Sequence, residues 1–256
     1  MARDEKIIAV IPARLNSKRL SNKLLLKIEN ITILEHVIIR LILSDSFSKI
    51  IVASPNNKIK KLIEKYKNVD FYKSKLKHFS GTSRAIEAVK KLKFSKLVII
   101  FGDEPLVRPD EIRFFVNQIY KDKKNDIWNA TISIKNKKEL IDKSIVKCLL
   151  NSYQNIYNLK RHINSNLNKN SKSIIHKSVG LIAFKSEIAK NLNLKKNIEN
   201  IEQLNFIRDN KYLLKSVKLK HDFFSVNTLK DYKRAKSKFK SSRTQKNIRL
   251  AFNLKN

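Results

Sequence analysis

Cysteine and acidic residues are scarce in this chain of 256 residues. The one cysteine, Cys148, has no partner for an intramolecular disulfide, and no paired Cys and His spacing indicates structural zinc. Asp and Glu total 22 against 56 Lys and Arg, which gives a formal net charge of +34 at pH 7. Because so basic a chain attracts polyanions, the first function to consider is nucleic-acid binding.

Glycine and proline are also rare, and long apolar runs are missing. The chain has 3 Gly and 4 Pro, whereas their usual shares are about 7% and 5%. No apolar stretch approaches the roughly 18 residues of a membrane span, and Met1–Lys6 lacks the order of a secretory signal. With 42% hydrophobic residues the chain can still bury a core. We expect a soluble, cytoplasmic protein that does not contact a membrane.

Short apolar runs alternate with segments of helical periodicity. The run Lys6–Ile11 is typical of a parallel strand covered on both faces, and Lys49–Ala53 and Leu97–Phe101 repeat the pattern. From Thr32 the apolar residues recur at helical spacing, with Arg40 on the opposite face. This alternation predicts an α/β fold in which an open, mainly parallel sheet carries helices on its faces.

The same periodicities predict the remaining elements. We expect helices over Lys58–Tyr66, after Ser80 or Thr82 as the capping residue, over Pro109–Tyr120, around Glu199–Arg208 and after Thr228. We expect strands over Val69–Tyr72, Trp128–Ile134, Ile145–Leu150, Ser178–Phe184 and Leu213–Lys218. The Asn, Lys and Ser-rich stretch Asn164–Ser173 is predicted to be a mobile loop.

Four cations follow the first predicted strand. Arg14, Lys18, Arg19 and Lys23 lie in a loop between a buried strand and a helix, where cations and backbone N–H groups suit a polyphosphate. The loop has no Walker pattern, which excludes a P-loop mechanism. The alternative is a solvated basic loop in a basic protein.

Two carboxylates, Asp103 and Glu104, follow the most apolar run of the chain. Ligands of open α/β sheets bind at the carboxyl ends of the strands, and a nucleotide-bound Mg²⁺ takes one or two protein carboxylates there. The alternative is a turn carboxylate with no ligand. We predict a structural role for His78 and a buried, inert thiol for Cys148.

Three ordered motifs resemble one known family. Ile11-Pro-Ala-Arg14 with Ser17, Arg19 and Lys23, then His78-Phe-Ser-Gly-Thr-Ser-Arg84, then Gly102-Asp-Glu-Pro105 are similar to motifs of the 3-deoxy-manno-octulosonate cytidylyltransferases, the CMP-Kdo synthetases. Their order and spacing match across the first half of the chain. Agreement is patchier afterwards, over Val146-Lys147, Val179–Phe184, Glu199–Leu204 and Val226–Asp231.

The resemblance implies a fold and a reaction. The fold is a three-layer α/β domain of the nucleotide-diphospho-sugar transferase, Rossmann-like, type. The anomeric hydroxyl of Kdo, or of a related 3-deoxy-2-keto sugar acid, attacks the α-phosphate of CTP, and pyrophosphate leaves. The CMP-sugar serves lipopolysaccharide or surface polysaccharide synthesis. Mg²⁺ as cofactor and a homodimer are implied as well.

The resemblance also assigns residues. Arg14, Lys23 and Asp103 are the catalytic set. The residues for the nucleotide are Arg14, Ser17, Arg19, Lys23, Ser80, Gly81 and Arg84. Those for the sugar acid are Lys160 or Arg161, Glu202 and Gln203. Mg²⁺ is assigned to Asp103 and Asn227.

Several residues depart from the family pattern. Ser21-Asn22 replaces a Pro-Gly, which is tolerable if Asn22 adopts the left-handed conformation. Asn227 stands where a second metal-binding aspartate is usual, and its neutral amide should weaken the metal site. Three further departures are Phe101 for a glutamine before Gly102, Ser178 for a histidine beside the sugar and Asn205 for an arginine after Glu202-Gln-Leu.

The resemblance implies a single domain over 1–256, with a nucleotide-binding half (1–126), a sugar-binding and dimer-forming half (127–229) and a C-terminal helix with a basic tail (230–256). From Lys230 onward the chain has ten Lys and Arg against one Asp, Asp231. Two other functions stay open. One is a nucleic-acid-binding basic protein, which the even spread of lysine along the chain disfavours. The other is a catalytically decayed cytidylyltransferase relative, in view of the departures.

Overall fold

Eleven strands and nine helices are found in the part of the chain that the computed structural model describes: residues 5–17, 19–163, 174–192, 194, 201–207, 212–241 and 243–252. The strands are β1 Ile7–Pro12, β2 Lys27–Ile28, β3 Ile31–Thr32, β4 Lys49–Ser54, β5 Val69–Lys73, β6 Lys96–Ile100, β7 Ile127–Ser133, β8 Lys147–Leu150, β9 Ile156–Lys160, β10 Ile174–Lys185 and β11 Leu214–Lys218. The helices are α1 Ile33–Ser44, α2 Asn57–Ile63, α3 Gly81–Val89, α4 Pro109–Lys121, α5 Lys137–Ile141, α6 Ser186–Asn191, α7 Leu204–Ile207, α8 Leu229–Ser241 and α9 Arg243–Phe252. The predicted loop at 164–173 and the start of the predicted helix at 199–208 lie outside the described residues.

The main sheet is open and mixed. Its strands run in the order β11-β7-β10-β6-β1-β4-β5, and β8 and β9 extend it beside β10. The strands β6, β1, β4 and β5 are parallel, as is the pair β7 and β11, whereas β10 is antiparallel to its neighbours. The mainly parallel sheet expected from the sequence is therefore confirmed.

Each central strand buries both of its faces. In β1 the side chains of Ile7, Ala9 and Ile11 join one core, while Ile8 and Val10 join the other. Helices α1, α4 and α8 cover the first core, and α3, α6 and α7 cover the second. Alternation with period two thus places apolar side chains in both cores and produces the three layers.

Helix α1 begins at a capping box. The Thr32 hydroxyl accepts from the Glu35 N–H at 3.2 Å, and the Glu35 carboxylate accepts from the Thr32 N–H at 2.7 Å. The two bonds satisfy donors that a helix start leaves open. At the other end Asp45 takes the left-handed conformation, with φ 47°. The predicted helix is confirmed.

The prediction that Arg40 lies on a polar face of α1, away from the apolar residues, is wrong, because Arg40 is buried. Its guanidinium donates to the Gln245 side-chain oxygen at 2.7 Å and to the His36 carbonyl at 3.0 Å, and it lies over the Phe239 ring. Phe239 belongs to α8 and Gln245 to α9, so the C-terminal helices cover this face. Burial lowers the pKa of Arg40 to about 9.

The C-terminal segment forms two helices instead of one helix and a tail. Ala235 and Phe239 of α8 and Ile248 of α9 are buried, and the Glu29 carboxylate binds Arg249 and accepts from Gln245. On α8 the lysines Lys233, Lys236 and Lys240 are exposed on the opposite side, as in an amphipathic helix. None of the described helices is long and apolar enough to cross a membrane.

Candidate functional site

A cavity of about 820 Å³ opens where β1 and β6 end. The two strands are parallel neighbours, so their carboxyl ends lie at the same edge of the sheet. This is the edge where ligands of open α/β sheets bind. Most residues predicted for the site line the cavity together: Arg14, Ser17, Arg19, Lys23, Ser80, Gly81, Arg84, Asp103, Arg161, Glu202 and Asn227.

The loop after β1 is folded so that Arg14, Arg19 and Lys23 face the cavity, while Lys18 lies outside the described residues. Its buried anchors are Leu15 and Leu24, and the N–H groups of Ser17 and Asn22 both donate to the Leu15 carbonyl at 2.9 Å. Asn22 has φ 52° and ψ 22°, which confirms the left-handed conformation predicted for it. Lys23 then begins a turn of 3-10 helix with its side chain in the site.

Lys23 joins the first motif, the third motif and the Val226–Asp231 segment at one point. Its ammonium pairs with the Asp103 carboxylate and donates to the Asn227 amide oxygen at 3.1 Å. The same oxygen accepts from Arg19 at 2.8 Å. The Val226 N–H donates to the Asp103 carbonyl at 2.8 Å, which holds Asn227 beside Asp103. The Lys23 and Asp103 side chains are 12% and 20% exposed, so their ion pair is only partly screened by water.

Asp103 and Asn227 direct two oxygen atoms toward one cation, the Lys23 ammonium. Mg²⁺ prefers this donor type, with one or two protein ligands and the rest from phosphate and water. In the described part of the chain, no group of three or more His, Cys, Asp or Glu side chains is arranged for a metal. The donor set therefore fits a Mg²⁺ ion that arrives with a nucleotide better than a permanently bound ion.

Glu104 is buried, whereas Asp103 faces the cavity. One oxygen of Glu104, Oε1, accepts from the Gly180 N–H at 3.1 Å and from the Ser225 hydroxyl at 2.7 Å. The other, Oε2, is buried with no hydrogen-bond partner among the described residues. Burial, followed by the charge of Asp103, raises the pKa of Glu104 to about 8. The adjacent carboxylates therefore differ in role, and only Asp103 is placed to bind a ligand cation.

Glycine at position 180 is required by packing. A Cβ there would overlap the Glu104 carboxyl group. The residue lies where β10 shifts register against β7, between Ser178 and Ile182, and this irregularity brings the Gly180 N–H to Glu104. Its φ is not positive, so close approach is the reason for the glycine.

We expect Glu104→Gln to stabilise the protein most at high pH. The folded protein retains a proton up to pH of about 8, whereas the unfolded carboxyl, with its ordinary pKa of 4.5, has released it. The stability of the wild-type protein therefore falls as the pH rises between these two values. The Glu104→Gln variant has a neutral amide at this position, so its stability does not fall for this reason. The amide oxygen can keep both hydrogen bonds of Oε1.

Melting temperatures of the wild type and Glu104→Gln, measured in EDTA between pH 5 and pH 9, test this prediction. The difference between them should be small at pH 5 and increase toward pH 8. A difference that stays constant over this range would show that the Glu104 pKa is not raised by folding.

Helix α3 begins at the cavity. Ser80 caps it, since its hydroxyl accepts from the Ser83 N–H at 3.0 Å, which decides between Ser80 and Thr82 as the cap. Arg84 lines the cavity and also points back to the preceding loop, where it bonds the Ser74 hydroxyl and the Lys75 carbonyl. Burial, followed by the charge of Arg14, lowers the pKa of Arg84.

Two aromatic residues belong to this part of the site. A Cβ on Gly81 would lie 2.6 Å from the Phe101 ring, so glycine at position 81 lets that ring pack against the start of α3. Phe101 stands where the family has a glutamine and lines the cavity together with Phe79. Phe101 was expected only as a departure from the family pattern, and no role was predicted for Phe79.

The residues predicted for the sugar acid are divided between two cavities. Arg161 and Glu202 line the first, whereas Gln203 and Ser178 line a second cavity of about 510 Å³. The two cavities share Arg19, Phe101, Glu104, Ser225 and Asn227, so they adjoin each other. Gln203 donates to the Asn129 side-chain oxygen at 3.2 Å, a partner that the sequence analysis missed.

Among the predicted site residues that the structure describes, Lys160 alone lines neither cavity. It is the last residue of β9 and is exposed, while Arg161 lines the first cavity. Of the two residues between which the sequence left the choice open, Arg161 is the one that lies at the first cavity. Burial, followed by the charge of Arg19, lowers the pKa of Arg161.

His78 and Cys148 have structural contacts. The His78 ring bonds the Ser83 hydroxyl at 3.2 Å and the Glu87 carboxylate at 2.8 Å, which holds the loop to α3. Cys148 is fully buried, and burial raises the pKa of its thiol. Both residues therefore have the surroundings that the sequence analysis predicted.

The family model described as "Cytidylyltransferase" matches residues 8–232. A 3-deoxy-manno-octulosonate cytidylyltransferase of Wigglesworthia glossinidia brevipalpis is 36% identical over 148 residues, which cover 57% of this chain and 60% of that protein. Proteins of the same name match at greater length: that of Solibacter usitatus is 27% identical, covering 93% and 96%, and that of Fusobacterium nucleatum is 29% identical, covering 87% and 92%. The resemblance drawn from the motifs is confirmed.

Solved structures share the fold. The CMP:2-keto-3-deoxy-manno-octonic acid synthetase complexed with CTP superposes with a TM-score of 0.82 at 21% identity, covering 92% of this chain and 98% of that one. The inositol-1-phosphate CTP transferase from T. maritima gives 0.71 at 12% identity, covering 97% and 98%. The expected three-layer fold of the nucleotidyltransferase type is confirmed.

Proposed function

We propose that this chain, which belongs to the cytidylyltransferase family, transfers the cytidylyl group of CTP to Kdo or a related 3-deoxy-2-keto sugar acid. The observation that carries the proposal is the meeting of Lys23, Asp103 and Asn227 in one cavity. In the reaction the anomeric oxygen of the sugar forms a bond to the α-phosphorus of CTP. The bond from that phosphorus to the bridging oxygen breaks, pyrophosphate leaves with the electron pair, and the hydroxyl proton passes to water.

The cations of the β1 loop hold the triphosphate. Arg14, Arg19 and Lys23 line the cavity, and Lys23 is the most firmly positioned because two side-chain oxygens orient its ammonium. Charge builds up on the phosphate oxygens as pyrophosphate departs. Fixed cations in a partly dry site stabilise that charge without having to reorganise.

Asp103 and Asn227 would hold Mg²⁺, and the bound ion would neutralise the triphosphate. Both residues contribute oxygen atoms, to which the Lys23 ammonium binds in this structure. Asp103 carries the only negative charge of the pair. The site is therefore expected to bind Mg²⁺ more weakly than a site with two carboxylates.

We expect Asn227→Asp to lower the Mg²⁺ concentration for half-maximal activity by about tenfold, because a second carboxylate strengthens the attraction for the ion. Activity titrated with MgCl₂ at fixed CTP and acceptor measures this concentration. Asn68→Asp is the control, since it adds the same charge at an exposed position outside both cavities. An unchanged metal requirement in Asn227→Asp would remove Asn227 from the metal site.

On the sugar side, Arg161 would bind the carboxylate of the acceptor. A guanidinium matches a carboxylate with two parallel hydrogen bonds. Glu202 adds a carboxylate whose buried Oε2 has no hydrogen-bond partner among the described residues, and such an oxygen can accept from a sugar hydroxyl. Gln203 reaches the adjoining cavity, where Ser178 stands.

We also propose a homodimer formed by the second half of the chain, in the cytoplasm. Tyr153, Tyr157 and Leu213 are large apolar residues of that half that are 76%, 49% and 53% exposed. Exposed apolar patches of this kind mark protein interfaces. Sedimentation equilibrium should give about twice the chain mass of 29.9 kDa, and a monomer at micromolar concentration would contradict the dimer.

Incubation of the purified protein with CTP, Mg²⁺ and Kdo tests the proposed reaction. Pyrophosphate should appear only when all three are present, and mixtures without acceptor or without metal are the controls. A panel of related acidic sugars distinguishes Kdo from other acceptors. Filter binding to mixed RNA at near-physiological salt tests the other function class: tight binding without acceptor-dependent pyrophosphate would favour a nucleic-acid-binding protein.

A further inference from the structure

Phe79 is an exposed aromatic side chain at the edge of the cavity. It is 53% exposed and lines the same cavity as the phosphate-binding cations. It packs into neither hydrophobic core, and in the described part of the chain it takes part in no ring–ring or cation–ring contact. A ring in this state leaves an apolar face open to water beside a ligand site.

The backbone on both sides of Phe79 is fixed. His78 bonds Ser83 at 3.2 Å and Glu87 at 2.8 Å. Ser80 accepts from the Ser83 N–H through its side chain and from the Ser83 hydroxyl through its carbonyl, both at 3.0 Å. The ring is therefore held at the cavity by anchored neighbours, at little further entropic cost when a ligand binds.

We infer that the Phe79 ring stacks on the pyrimidine base of the bound nucleotide. This inference depends on the proposed use of CTP. The loop cations bind the triphosphate, and Arg161 binds the carboxylate of the sugar acid. The base is the one planar aromatic group in either substrate, so it is the group that an aromatic ring can stack on. Every base has a π-face, so stacking contributes affinity without selecting one base over another.

Loss of the stack should change KM for CTP and kcat differently. The base is remote from the reacting phosphorus and is bound alike in the ground state and the transition state. Its loss should raise KM for CTP and leave kcat unchanged. For Phe79→Ala we expect KM to rise about tenfold, with kcat within twofold of the wild type, while Phe79→Tyr keeps the wild-type KM.

A fluorescence titration tests the contact directly. The chain has one tryptophan, Trp128, and it is fully buried in the core, so a tryptophan placed at position 79 is the only exposed indole. In Phe79→Trp, CTP should quench this emission, whereas inorganic tripolyphosphate, which has no base, should not. Leu76→Trp is the matched control, because Leu76 lies in the same loop, is 81% exposed and does not line the cavity.

The outcomes separate this inference from the proposed function. Equilibrium dialysis with labelled CTP shows independently whether the nucleotide binds to the wild-type protein. If CTP binds but Phe79→Trp and Leu76→Trp respond alike, or Phe79→Ala keeps the wild-type KM, the stack is overturned and CTP use stands. If CTP does not bind at all, the proposed function fails and the stack fails with it.

Discussion

Replacing Lys23 with alanine is expected to lower kcat for pyrophosphate release by about 10³-fold, because a fixed cation at the triphosphate is lost. The Lys23 side chain is 12% exposed and its ammonium is positioned by Asp103 and Asn227, so no solvent cation can take its place with the same geometry. Pyrophosphate release at saturating CTP and acceptor measures the effect.

Lys27→Ala is the control for charge. Lys27 is exposed on β2 and lines neither cavity, and its backbone carbonyl accepts from the Tyr232 hydroxyl. It should keep wild-type turnover although it removes the same charge from the chain. Wild-type turnover in a folded Lys23→Ala variant would remove Lys23 from the mechanism.

Asp103→Asn is expected to lower kcat by about 10²- to 10³-fold, because it leaves the proposed metal site without any negative charge. Asparagine is nearly isosteric and can still accept from Lys23, so the change isolates the charge from the shape. Turnover measured over a range of Mg²⁺ concentrations should stay low throughout, since two neutral amides hold the ion poorly.

Asp110→Asn is the matched control for this variant. Asp110 lies at the start of α4, pairs with Arg108 on the surface and lines neither cavity. Its replacement should leave turnover and metal requirement as they are. Turnover close to the wild type in Asp103→Asn would contradict the assigned role of Asp103.

The central strands were predictable because they bury both faces. The runs at 6–11 and 97–101 appear as β1 and β6, each displaced by one residue. A strand that is covered on both sides needs apolar residues at every position, so the sequence carries the full pattern. The loops that follow such strands in parallel must meet at one edge, which is why the loops that carry Lys23 and Asp103 line one cavity.

The scarcity of glycine indicated little about the turns of this chain. Five residues other than glycine have positive φ in the described part of the chain, namely Asn22, Glu29, Asn30, Asp45 and Gln154, while none of the glycines does. Gly81 and Gly180 instead make room for Phe101 and Glu104. Turns in this chain were therefore made largely without glycine, and the few glycines mark close packing.

The burial of Arg40 could not be predicted from the sequence. The helices that cover it come from a segment with ten Lys and Arg, and their apolar faces consist of a few residues such as Phe239 and Ile248. Such a segment has the composition of a solvated tail. The sequence also could not decide whether Lys160 or Arg161 is the site residue, because a shift of one residue exchanges the faces of a strand.

Phosphorus NMR of the complete reaction tests the transfer itself most directly. Pyrophosphate alone can arise from hydrolysis of CTP, whereas transfer also produces a phosphodiester between CMP and the sugar acid. With CTP, Mg²⁺ and Kdo, the proposed function predicts phosphodiester and pyrophosphate signals that grow in equal amounts. Free CMP in place of the phosphodiester, or no loss of CTP with Kdo or any related acid sugar, would contradict it.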